Sequence, residues 1–445
     1  MTTPDPVPPP SGWASSPDPG SPDWLAAPWS WYFVPRPVYT GDNQLTLLRG
    51  GAELFPAMIA AIDAAQHEVW LTSYICEPDA SVLPVLDALE RAARRGVQVR
   101  MVVDGFGSKR RLAELQRRLP ASGVALAVFR PLERWTHWLQ PGQLRRLHMK
   151  LCSVDGQVGF VGGINLIDDH FDLHHGRTEL PRLDYAVAAR GPVATALQHA
   201  VRAMWSRARF GRDWRSEVQA LAHARHPLLR LRVLWRQLRL TGRGTAPEPA
   251  AQGPLRAAFV VRDNVRQRRT IERAYIDAIR HARERIWLIS PYFYPGREFR
   301  QVLCAAAQRG VDVRLLLQGK PDYRLAAMAA HVLYDELMRH GVVIHEYTPA
   351  FLHAKVAVVD ADWATVGSSN IDPLSLLLNL EANLIVRDTG FTAQLALQIA
   401  GALADSHAVG PRDVRLHGWV AWLRRVIVAW CAHVYLRLAG VTRRD

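Results

Sequence analysis

One arrangement of polar residues occurs twice in this chain and constrains its fold more than any other feature. In each copy a lysine follows a histidine by two positions, an aspartate by seven, a glycine by fourteen and an asparagine by seventeen. The first copy is His148, Lys150, Asp155, Gly162, Gly163 and Asn165, and the second is His353, Lys355, Asp360, Gly367, Ser368 and Asn370. Two matching half sites predict a single active centre that is assembled from two halves of the chain.

Each copy predicts a β-strand, at residues 147–154 and 352–359, because apolar residues flank the polar ones and a turn-forming aspartate follows. The histidine and lysine of one strand would project from the same face, with about 6–7 Å between their Cα atoms. The glycines permit close approach of the backbone, and the asparagine amides can donate to an oxygen. Two imidazoles, two ammonium groups and two amides around one small volume indicate a site for a phosphate diester.

Each of these positions also has a structural explanation. A single histidine or lysine beside a strand is more often a surface or core residue than a catalyst, and Gly-Ser-Ser-Asn alone is typical of a turn. The duplicated spacing favours the functional interpretation. Asp155 and Asp360 end their strands, so a turn or an ion pair explains them at least as well as chemistry, and we expect them behind the residues that touch substrate. Gly163 and Ser368 are expected to line the substrate.

Other segments repeat too, which favours a duplication over two accidental matches. Residues 68–74 resemble 285–292, and 95–100 resemble 309–314. A helical pattern precedes the first segment of each half, and a second helix ends near a glycine before the next strand. Helices that alternate with buried strands predict an α/β fold of two pseudo-symmetric lobes. Each lobe would be a mixed β-sheet flanked by helices, with one active site at the lobe interface.

Composition divides the chain into five expected parts. Residues 1–40 are Pro-rich, typical of disorder, end in aromatic residues and lack a signal-peptide pattern. The two lobes are expected at 41–215 and 255–405. Between them, residues 216–254 predict a basic amphipathic linker, and residues 406–445 predict an interfacial, Trp-rich hydrophobic segment.

The two motifs resemble the paired histidine-lysine-aspartate signatures of the phospholipase D superfamily, and this resemblance extends over residues 42–405. Several shorter segments are similar, more narrowly, to bacterial cardiolipin synthases: 50–62, 184–188, 259–264, 352–360, 363–375 and 379–383. Thr72 departs from the pattern, because an acidic residue is expected at this place in the Trp-containing strand. A local polar contact would be absent as a result.

The resemblance implies a displacement in two steps that needs no metal and no cofactor. One histidine attacks phosphorus and forms a phosphohistidine, while the other donates a proton to the departing alcohol and then acts as a base. By analogy with relatives we favour His148 as nucleophile and His353 as acid, although the two half sites are nearly equivalent. The phosphoryl oxygens would be held by Lys150, Lys355, Asn165 and Asn370.

Carboxylates are expected to fix the tautomers of the two imidazole rings. The best candidates are Asp184 and Glu381, because each begins a strand-like stretch downstream of its motif, where the family has its orienting acid. One ring must be neutral and the other charged, so a bell-shaped pH profile is expected, with apparent pKa values that belong to the pair.

Charge and aromatic content are typical of an enzyme that works on lipid surfaces. Lys plus Arg exceed Asp plus Glu by 14, and arginines alternate with leucines across residues 218–247. Near an anionic membrane each arginine could contribute about 1 kcal/mol. The uncharged run in 406–445 is too short to cross a bilayer, so peripheral association with the cytoplasmic side of the inner membrane is expected. A solvated linker helix and packing of 406–445 on the lobes remain alternatives.

Two classes of function fit these observations. The first is a phosphatidyltransferase that joins phosphatidylglycerol-type lipids, with anionic phospholipids and the membrane surface as partners. The second is a phosphodiesterase or nuclease, since basic charge and this fold also suit nucleic acid. The Trp-rich segment and the narrower resemblance favour lipid, and no nucleic acid partner is expected. A non-catalytic scaffold would predict a broken motif, whereas both copies are intact.

The cysteines and the clustered histidines give little further information about function. The spacing of the cysteines fits no metal site and predicts free thiols in a reducing compartment: Cys76, Cys152, Cys304 and Cys431. The run from His170 to His174 and His175 could bind a metal, but a polar loop explains it and the implied mechanism requires no ion.

Overall fold

The computed structural model describes residues 37–131, 145–173, 176–222, 255–263, 267–319, 333–372 and 379–410, with backbone alone at 210–222. The expected N-terminal segment lies almost wholly outside the described residues. So do most of the linker and of the Trp-rich C-terminal segment, together with Cys431, His174 and His175.

The first lobe contains one sheet of seven strands. Its helices are α1 (Gly50–Asp63), α2 (Leu83–Arg94), α3 (Leu112–Ala121) and α4 (Pro192–Ala222). Its strands are β1 (Gln44–Arg49), β2 (Glu68–Ser73), β3 (Gln98–Asp104), β4 (Ala125–Phe129), β5 (Arg146–Leu147), β6 (Lys150–Val154), β7 (Val158–Gly162), β8 (Phe171–Asp172), β9 (Gly176–Arg177) and β10 (Tyr185–Arg190). The sheet order is β1-β10-β7-β6-β2-β3-β4, in which β2, β3 and β4 are parallel and the other pairs antiparallel.

The second lobe repeats this plan. Its helices are α5 (Thr270–His281), α6 (Arg297–Gln308) and α7 (Thr389–Ala404). Its strands are β11 (Arg256–Arg262), β12 (Arg285–Ser290), β13 (Asp312–Gln318), β14 (Val343–Tyr347), β15 (Val356–Val359), β16 (Trp363–Gly367), β17 (Asn379–Arg387) and β18 (His407–Ala408). They are ordered β11-β17-β16-β15-β12-β13-β14-β18, so the first seven positions match the first lobe strand for strand.

A shared apolar core joins the two lobes. The helices α4 and α7 present buried residues such as Leu197, Met204, Leu395 and Ile399 to a cluster that also contains strand residues of both sheets. Two further cores lie on the other faces of the sheets, one under α1 and α2 and one under α5 and α6. Because protein cores are close-packed, this central layer holds the two halves of the predicted site in a fixed relation.

The structure corrects the predicted strands at the histidines. We expected continuous strands at 147–154 and 352–359, but β5 ends at Leu147 and β6 begins at Lys150, while β15 begins only at Val356. The reason is that the residues around each histidine hydrogen-bond to the opposite lobe. The His148 N–H donates to the Leu380 carbonyl at 3.0 Å, and the His353 N–H donates to the Leu183 carbonyl at 2.9 Å.

Regular structure continues past two of the expected boundaries, which stay predictions. Helix α4 continues to Ala222, past residue 216, where the linker was expected to begin. Strand β18 pairs with β14 at residues 407–408, so the second sheet extends beyond residue 405. Cys76, Cys152 and Cys304 are free and buried. Among the described helices, none is both long enough and apolar enough to cross a membrane.

Candidate active site

The two motifs meet because each is joined to the strand that contains the other lobe's acid. Strand β5 pairs in parallel with the start of β17, with Leu147 opposite Leu380. In the other half, Leu352 forms a parallel bridge with Leu183. Leu380 precedes Glu381 and Leu183 precedes Asp184, so each exchange aligns a histidine with a carboxylate from the opposite lobe.

The result is a crossed pair of histidine–carboxylate contacts. His148 Nδ1 lies 2.9 Å from Glu381 Oε2, and His353 Nδ1 lies 2.6 Å from Asp184 Oδ2. A carboxylate on Nδ1 makes that nitrogen the donor and leaves Nε2 as the nitrogen available for chemistry. All four side chains are largely buried, with His353 the most exposed at 23%. Asp184 and Glu381, which we expected to orient the rings, each contact the histidine of the other lobe.

The two imidazoles share one electrostatic environment. Burial lowers the pKa of His353 well below its ordinary value, and the neighbouring charges that add to this include Lys355, Lys150 and His148. Burial also lowers the pKa of His148, to about 4, although Glu381 opposes it. Each ring also contacts an acid of the opposite lobe, so residues of both predicted half sites meet at the lobe interface.

The two motif lysines are buried beside their histidines. Lys150 is 6% exposed and Lys355 is 1% exposed. Each Nζ donates to the carbonyl of the histidine two residues before it, at 2.7 Å for Lys150. Burial lowers the pKa of Lys150 to about 7 and that of Lys355 to about 8. A bound anion would raise both pKa values again, because a nearby negative charge favours the protonated ammonium form. Binding of an anion such as a phosphate diester would therefore be favourable at these lysines.

Both asparagines of the motifs are buried. Asn165 Oδ1 accepts a hydrogen bond from the Ile75 backbone N–H at 3.4 Å. Asn370 is 7% exposed, and its Oδ1 atom has no hydrogen-bond partner within the described part of the chain. A buried amide oxygen without a partner is costly, so this atom is an acceptor that a bound ligand would satisfy.

Gly163 and Ser368, which we expected to line the substrate, contact the carboxylates. A Cβ atom at Gly163 would lie 2.3 Å from Asp184 Oδ1, so only glycine allows this carboxylate its position. Ser368 occupies the equivalent place in the second half, and its hydroxyl donates to Glu381 Oε2 at 2.5 Å. Both residues therefore shape the acids that hold the histidine rings.

Asp155 and Asp360 lie at the far end of the motif strands and stabilise turns. The Asp155 carboxylate accepts the backbone N–H groups of residues 66, 67 and 68, and Asp360 accepts those of residues 283, 284 and 285. Both have φ of +51°, the left-handed conformation that short polar residues tolerate. These contacts are of the turn kind that the sequence analysis named as an explanation, and they engage the carboxylate oxygens with backbone amides.

The two carboxylates differ in proton affinity. Burial raises the pKa of Asp184 to about 7, with Lys355 opposing it. Burial acts in the same direction on Glu381, but His148, Arg262 and Lys150 outweigh it and lower the pKa of Glu381 to about 2. Arg262 is 1% exposed and its Nη2 lies 3.6 Å from Glu381 Oε1. Arg262 was not identified from the sequence, although it stands in the segment 259–264 that carries the family resemblance.

A second pair of supporting residues was also missed. Asp104 Oδ2 accepts the Leu147 N–H at 2.9 Å, and Gln318 Oε1 accepts the Leu352 N–H at 3.1 Å. Each acceptor ends the third strand of its lobe and fixes the residue just before a motif histidine. The signal was present, because each stands nine positions after the arginine that opens its Arg-Gly-Val repeat.

Tyr74 contacts the first motif and has no equivalent in the second. Its ring centroid lies 5.1 Å from that of His148 in an edge-on arrangement, and Lys150 Nζ lies 5.5 Å from the tyrosine ring. In the repeat of the second half, Pro291 takes this place between Ser290 and Tyr292.

Among the described residues, no group of three or more His, Cys, Asp or Glu could hold a metal ion. His170, which we considered as a metal ligand, contacts the Thr178 carbonyl through its Nδ1 atom.

Sequence comparison places these features among known proteins. The family described as cardiolipin synthase, PLD-like domain, matches the chain twice, at residues 58–177 and 275–401. Cardiolipin synthase B of Salmonella typhimurium strain LT2 is 35% identical over 364 residues, which cover 82% of this chain and 81% of that protein. Cardiolipin synthase B of Escherichia coli K12 is 34% identical over 363 residues, 81% of each chain. Cardiolipin synthase A of Pseudomonas putida strain F1 is 32% identical over 354 residues, 80% of this chain and 67% of that protein.

Comparison of structures confirms the predicted α/β fold with two related lobes. The crystal structure of phosphatidylserine synthase from Haemophilus influenzae Rd KW20 matches with a TM-score of 0.62. The match covers 89% of this chain and 95% of that one at 14% sequence identity. At this identity the likeness shows a common fold.

Proposed function

This chain belongs to the cardiolipin synthase family of the phospholipase D superfamily, and we propose that it transfers a phosphatidyl group from one phosphatidylglycerol to another and releases glycerol. The crossed histidine–carboxylate pairs are the observation on which this depends. They supply two Nε2 atoms to one site, together with the ammonium groups of Lys150 and Lys355. A phosphodiester needs this combination of nucleophile, acid and cations.

The transfer proceeds in two balanced steps. His148 Nε2 attacks phosphorus and forms a P–N bond, while the P–O bond to the glycerol headgroup breaks and the departing oxygen takes a proton from His353. A hydroxyl of the second phosphatidylglycerol then gives its proton to His353 and attacks phosphorus, which breaks the P–N bond. His148 is neutral again at the end, and His353 carries the proton needed for the next cycle.

The difference between the two carboxylates supports this assignment of roles. With pKa values of about 2 for Glu381 and about 4 for His148, this pair is a carboxylate and a neutral ring at neutral pH, as a nucleophile requires. With the pKa of Asp184 raised to about 7, the Asp184–His353 pair retains one proton to that pH. When the environments of two similar groups push their pKa values apart, the group that keeps its proton acts as the acid and the other acts as the base or nucleophile.

Lys150, Lys355, Asn165 and Asn370 stabilise the phosphoryl oxygens. The lysines are held by the carbonyls of the motif histidines, so their ammonium groups are already aligned when substrate arrives. Preorganised charge in a buried site lowers the barrier more than the same groups would in water.

Phosphatidyl transfer requires access to lipid, and we propose peripheral association with the cytoplasmic side of the inner membrane. The charge excess of 14 and the arginine-leucine pattern at 218–247 support attraction to anionic phospholipids. A phosphodiesterase that hydrolyses lipid or nucleic acid is the second candidate, since the same two histidines would serve water as the acceptor.

Incubation of the purified protein with phosphatidylglycerol vesicles, followed by mass analysis of the lipids, tests the function. Wild type should form cardiolipin and glycerol, and His148→Ala and His353→Ala should form neither. His281→Ala is the matched control, because this exposed histidine contacts only the Asp277 carbonyl among described hydrogen bonds and should leave the yield unchanged. Cleavage of DNA without any lipid turnover would contradict lipid transfer and favour the second candidate.

A further inference from the structure

A buried polar network joins β16, β17 and the turn that follows β16. Asn383 lies on β17, two residues after Glu381, and its side chain reaches that turn. Its Oδ1 atom accepts the Ser369 backbone N–H at 3.3 Å, and its Nδ2 atom donates to Thr365 Oγ1 at 3.2 Å. The Thr365 hydroxyl in turn donates to the Leu384 carbonyl at 2.9 Å. Asn383, Thr365 and Ser369 are almost fully buried, and together they form the asparagine network.

The amide of Asn383 can take only one orientation in the asparagine network. A backbone N–H is a donor only, so the amide oxygen must face Ser369 and the amide nitrogen must face the Thr365 hydroxyl. A Cβ atom at Gly367 would lie 2.2 Å from Asn383 Oδ1, so only glycine admits the amide here. The amide therefore lies against the backbone on both sides of Ser368.

Ser368, between these two contacts, is the residue that touches the carboxylate of the site. Its hydroxyl donates to Glu381 Oε2 at 2.5 Å and accepts the Ala382 N–H at 3.1 Å. Its own N–H donates to the Ala382 carbonyl at 2.9 Å. Glu381 Oε2 is also the atom that lies 2.9 Å from His148 Nδ1. Direct contacts therefore connect Asn383, through the turn and the carboxylate, to the ring of His148.

The first lobe builds the same turn with apolar residues at the three equivalent positions. They are Ala186 in place of Asn383, Phe160 in place of Thr365 and Ile164 in place of Ser369. All three line one small cavity of the first lobe. Replacing both partners of a buried hydrogen bond by apolar groups can be nearly neutral for stability. The turn therefore folds without polar side chains at these positions, and the asparagine network meets a requirement beyond folding.

On the basis of the phosphatidyl transfer proposed above, in which His148 attacks phosphorus, we infer that Asn383 and Thr365 are positioning residues for the nucleophile. Asn383 holds the turn so that the Ser368 hydroxyl stays on Glu381. The carboxylate then keeps the ring of His148 in the tautomer and direction that the attack requires. A small displacement of a reacting atom is costly in rate, so a residue that touches no substrate can still limit catalysis.

A double-mutant cycle on cardiolipin formation from phosphatidylglycerol vesicles tests the asparagine network. Asn383→Ala should lower kcat about tenfold and leave KM unchanged, because it acts through the carboxylate. In a Ser368→Ala background, where the hydroxyl on Glu381 is already gone, the same change should lower kcat less than about twofold. Gln318→Ala gives the control background, since Gln318 holds the residue before His353 instead. There the full loss should remain.

Two variants of Thr365 test the asparagine network without changing Asn383. Thr365→Val keeps the shape of the side chain but removes the acceptor of Asn383 Nδ2, so it should lower kcat about fivefold. Thr365→Ser keeps the hydroxyl and should retain most of the wild-type kcat. This pair decides the question if Asn383→Ala does not fold. Equal kcat values in the two Thr365 variants would contradict the inference.

Nuclear magnetic resonance of protein with ¹⁵N-labelled histidine rings gives a readout that does not depend on lipid transfer. The Nδ1–H protons that His148 and His353 donate to carboxylates should give low-field signals, assigned by replacing each histidine with alanine. Asn383→Ala should shift the His148 signal and leave the His353 signal in place. If wild type forms no lipid product, the proposed function fails, and this measurement alone decides whether Asn383 holds the ring.

Three results would overturn the inference. The first is a His148 signal that Asn383→Ala leaves unchanged, and the second is an equal shift of both histidine signals. The third is a loss of kcat by Asn383→Ala that is as large in the Ser368→Ala background as in wild type, because the amide would then act independently of the hydroxyl.

Discussion

The two half sites share a backbone plan but differ in the groups around each carboxylate. Glu381, which holds His148, accepts from Ser368 and lies near the buried Arg262. Asp184, which holds His353, has Gly163 in the place of that serine, and burial dominates its pKa. Duplication supplies two equal positions, and a few neighbouring substitutions give the two carboxylates different proton affinities. Under the proposed mechanism this difference assigns their roles.

The crossed contacts also make the two lobes interdependent. Each histidine receives its carboxylate from the other half, and the backbone around it hydrogen-bonds there as well. A single lobe would lack both the orienting acid and the strand that positions its motif. The lobes are therefore compared best within the intact chain, by changing equivalent residues one at a time.

The largest expected effect comes from removing each histidine in turn. His148→Ala and His353→Ala should each lose roughly 10⁴-fold or more in lipid transfer, as removal of a catalytic nucleophile or base does elsewhere. A labelled phosphatidyl p-nitrophenyl diester separates them, because nitrophenol departs without a proton. His353→Ala should release one nitrophenol per protein molecule and keep the label, since no base activates the acceptor.

His148→Ala should give no burst and no labelled protein in the same experiment. The reverse pattern, with label retained only by His148→Ala, would exchange the two roles while leaving the site intact. His281→Ala controls for handling and should turn over the diester as wild type does.

Neutralising either carboxylate should lower the rate of lipid transfer less than removing a histidine does. Glu381→Gln and Asp184→Asn keep a hydrogen-bonding group near Nδ1 but remove the charge that stabilises an imidazolium, so kcat should fall roughly 10²–10⁴-fold. Rapid-quench measurement of labelled protein should show slow formation of the intermediate in Glu381→Gln. Glu114→Gln, at a half-buried residue in α3 that pairs with Arg111, is the control. Full activity in Glu381→Gln would contradict the orienting role.

A reciprocal exchange tests the neighbours that distinguish the two acids. Gly163→Ser should lower kcat about 10²-fold, because its Cβ would lie 2.3 Å from Asp184 Oδ1 and the displaced carboxylate would misplace His353. Ser368→Gly removes one hydroxyl from Glu381 and should cost about tenfold. Steady-state kinetics on both variants decides the point. Equal losses would show that the two positions are equivalent after all.

The pH dependence of kcat/KM tests whether the two histidine–carboxylate pairs differ in protonation. His148 must be neutral, and its pKa of about 4 puts the acid limb well below neutrality. The Asp184–His353 pair must keep its proton, so the rate should fall about tenfold per unit as pH rises above about 7, near the pKa of Asp184. Assays across this range should show the alkaline limb in wild type. A flat profile from about pH 6 to about pH 9 would rule out a proton held by this pair.

The two motifs and the acids that contact their histidines could be picked out from the sequence, because polar side chains at a repeated spacing are visible without any structure. Their roles in catalysis stay predictions. The crossing was not predictable, since it depends on Leu147 and Leu380 being neighbours across the lobe interface. Nor could the roles of Gly163 and Ser368 be separated from substrate binding. Whether a small residue faces a ligand or a carboxylate is decided by strand register.

The smallest effect concerns Asp104 and Gln318, which hold the residues before the two histidines through the same backbone contact. Gln318→Ala would leave the buried Leu352 N–H without its acceptor and should cost about 1–3 kcal/mol in urea unfolding, with kcat reduced a few-fold and KM unchanged. Gln318→Glu keeps an acceptor oxygen and makes the second lobe resemble the first, so it should recover most of kcat. If Gln318→Ala lost stability but kept the wild-type kcat, the contact would serve the fold alone, because His353 would then hold its position without it.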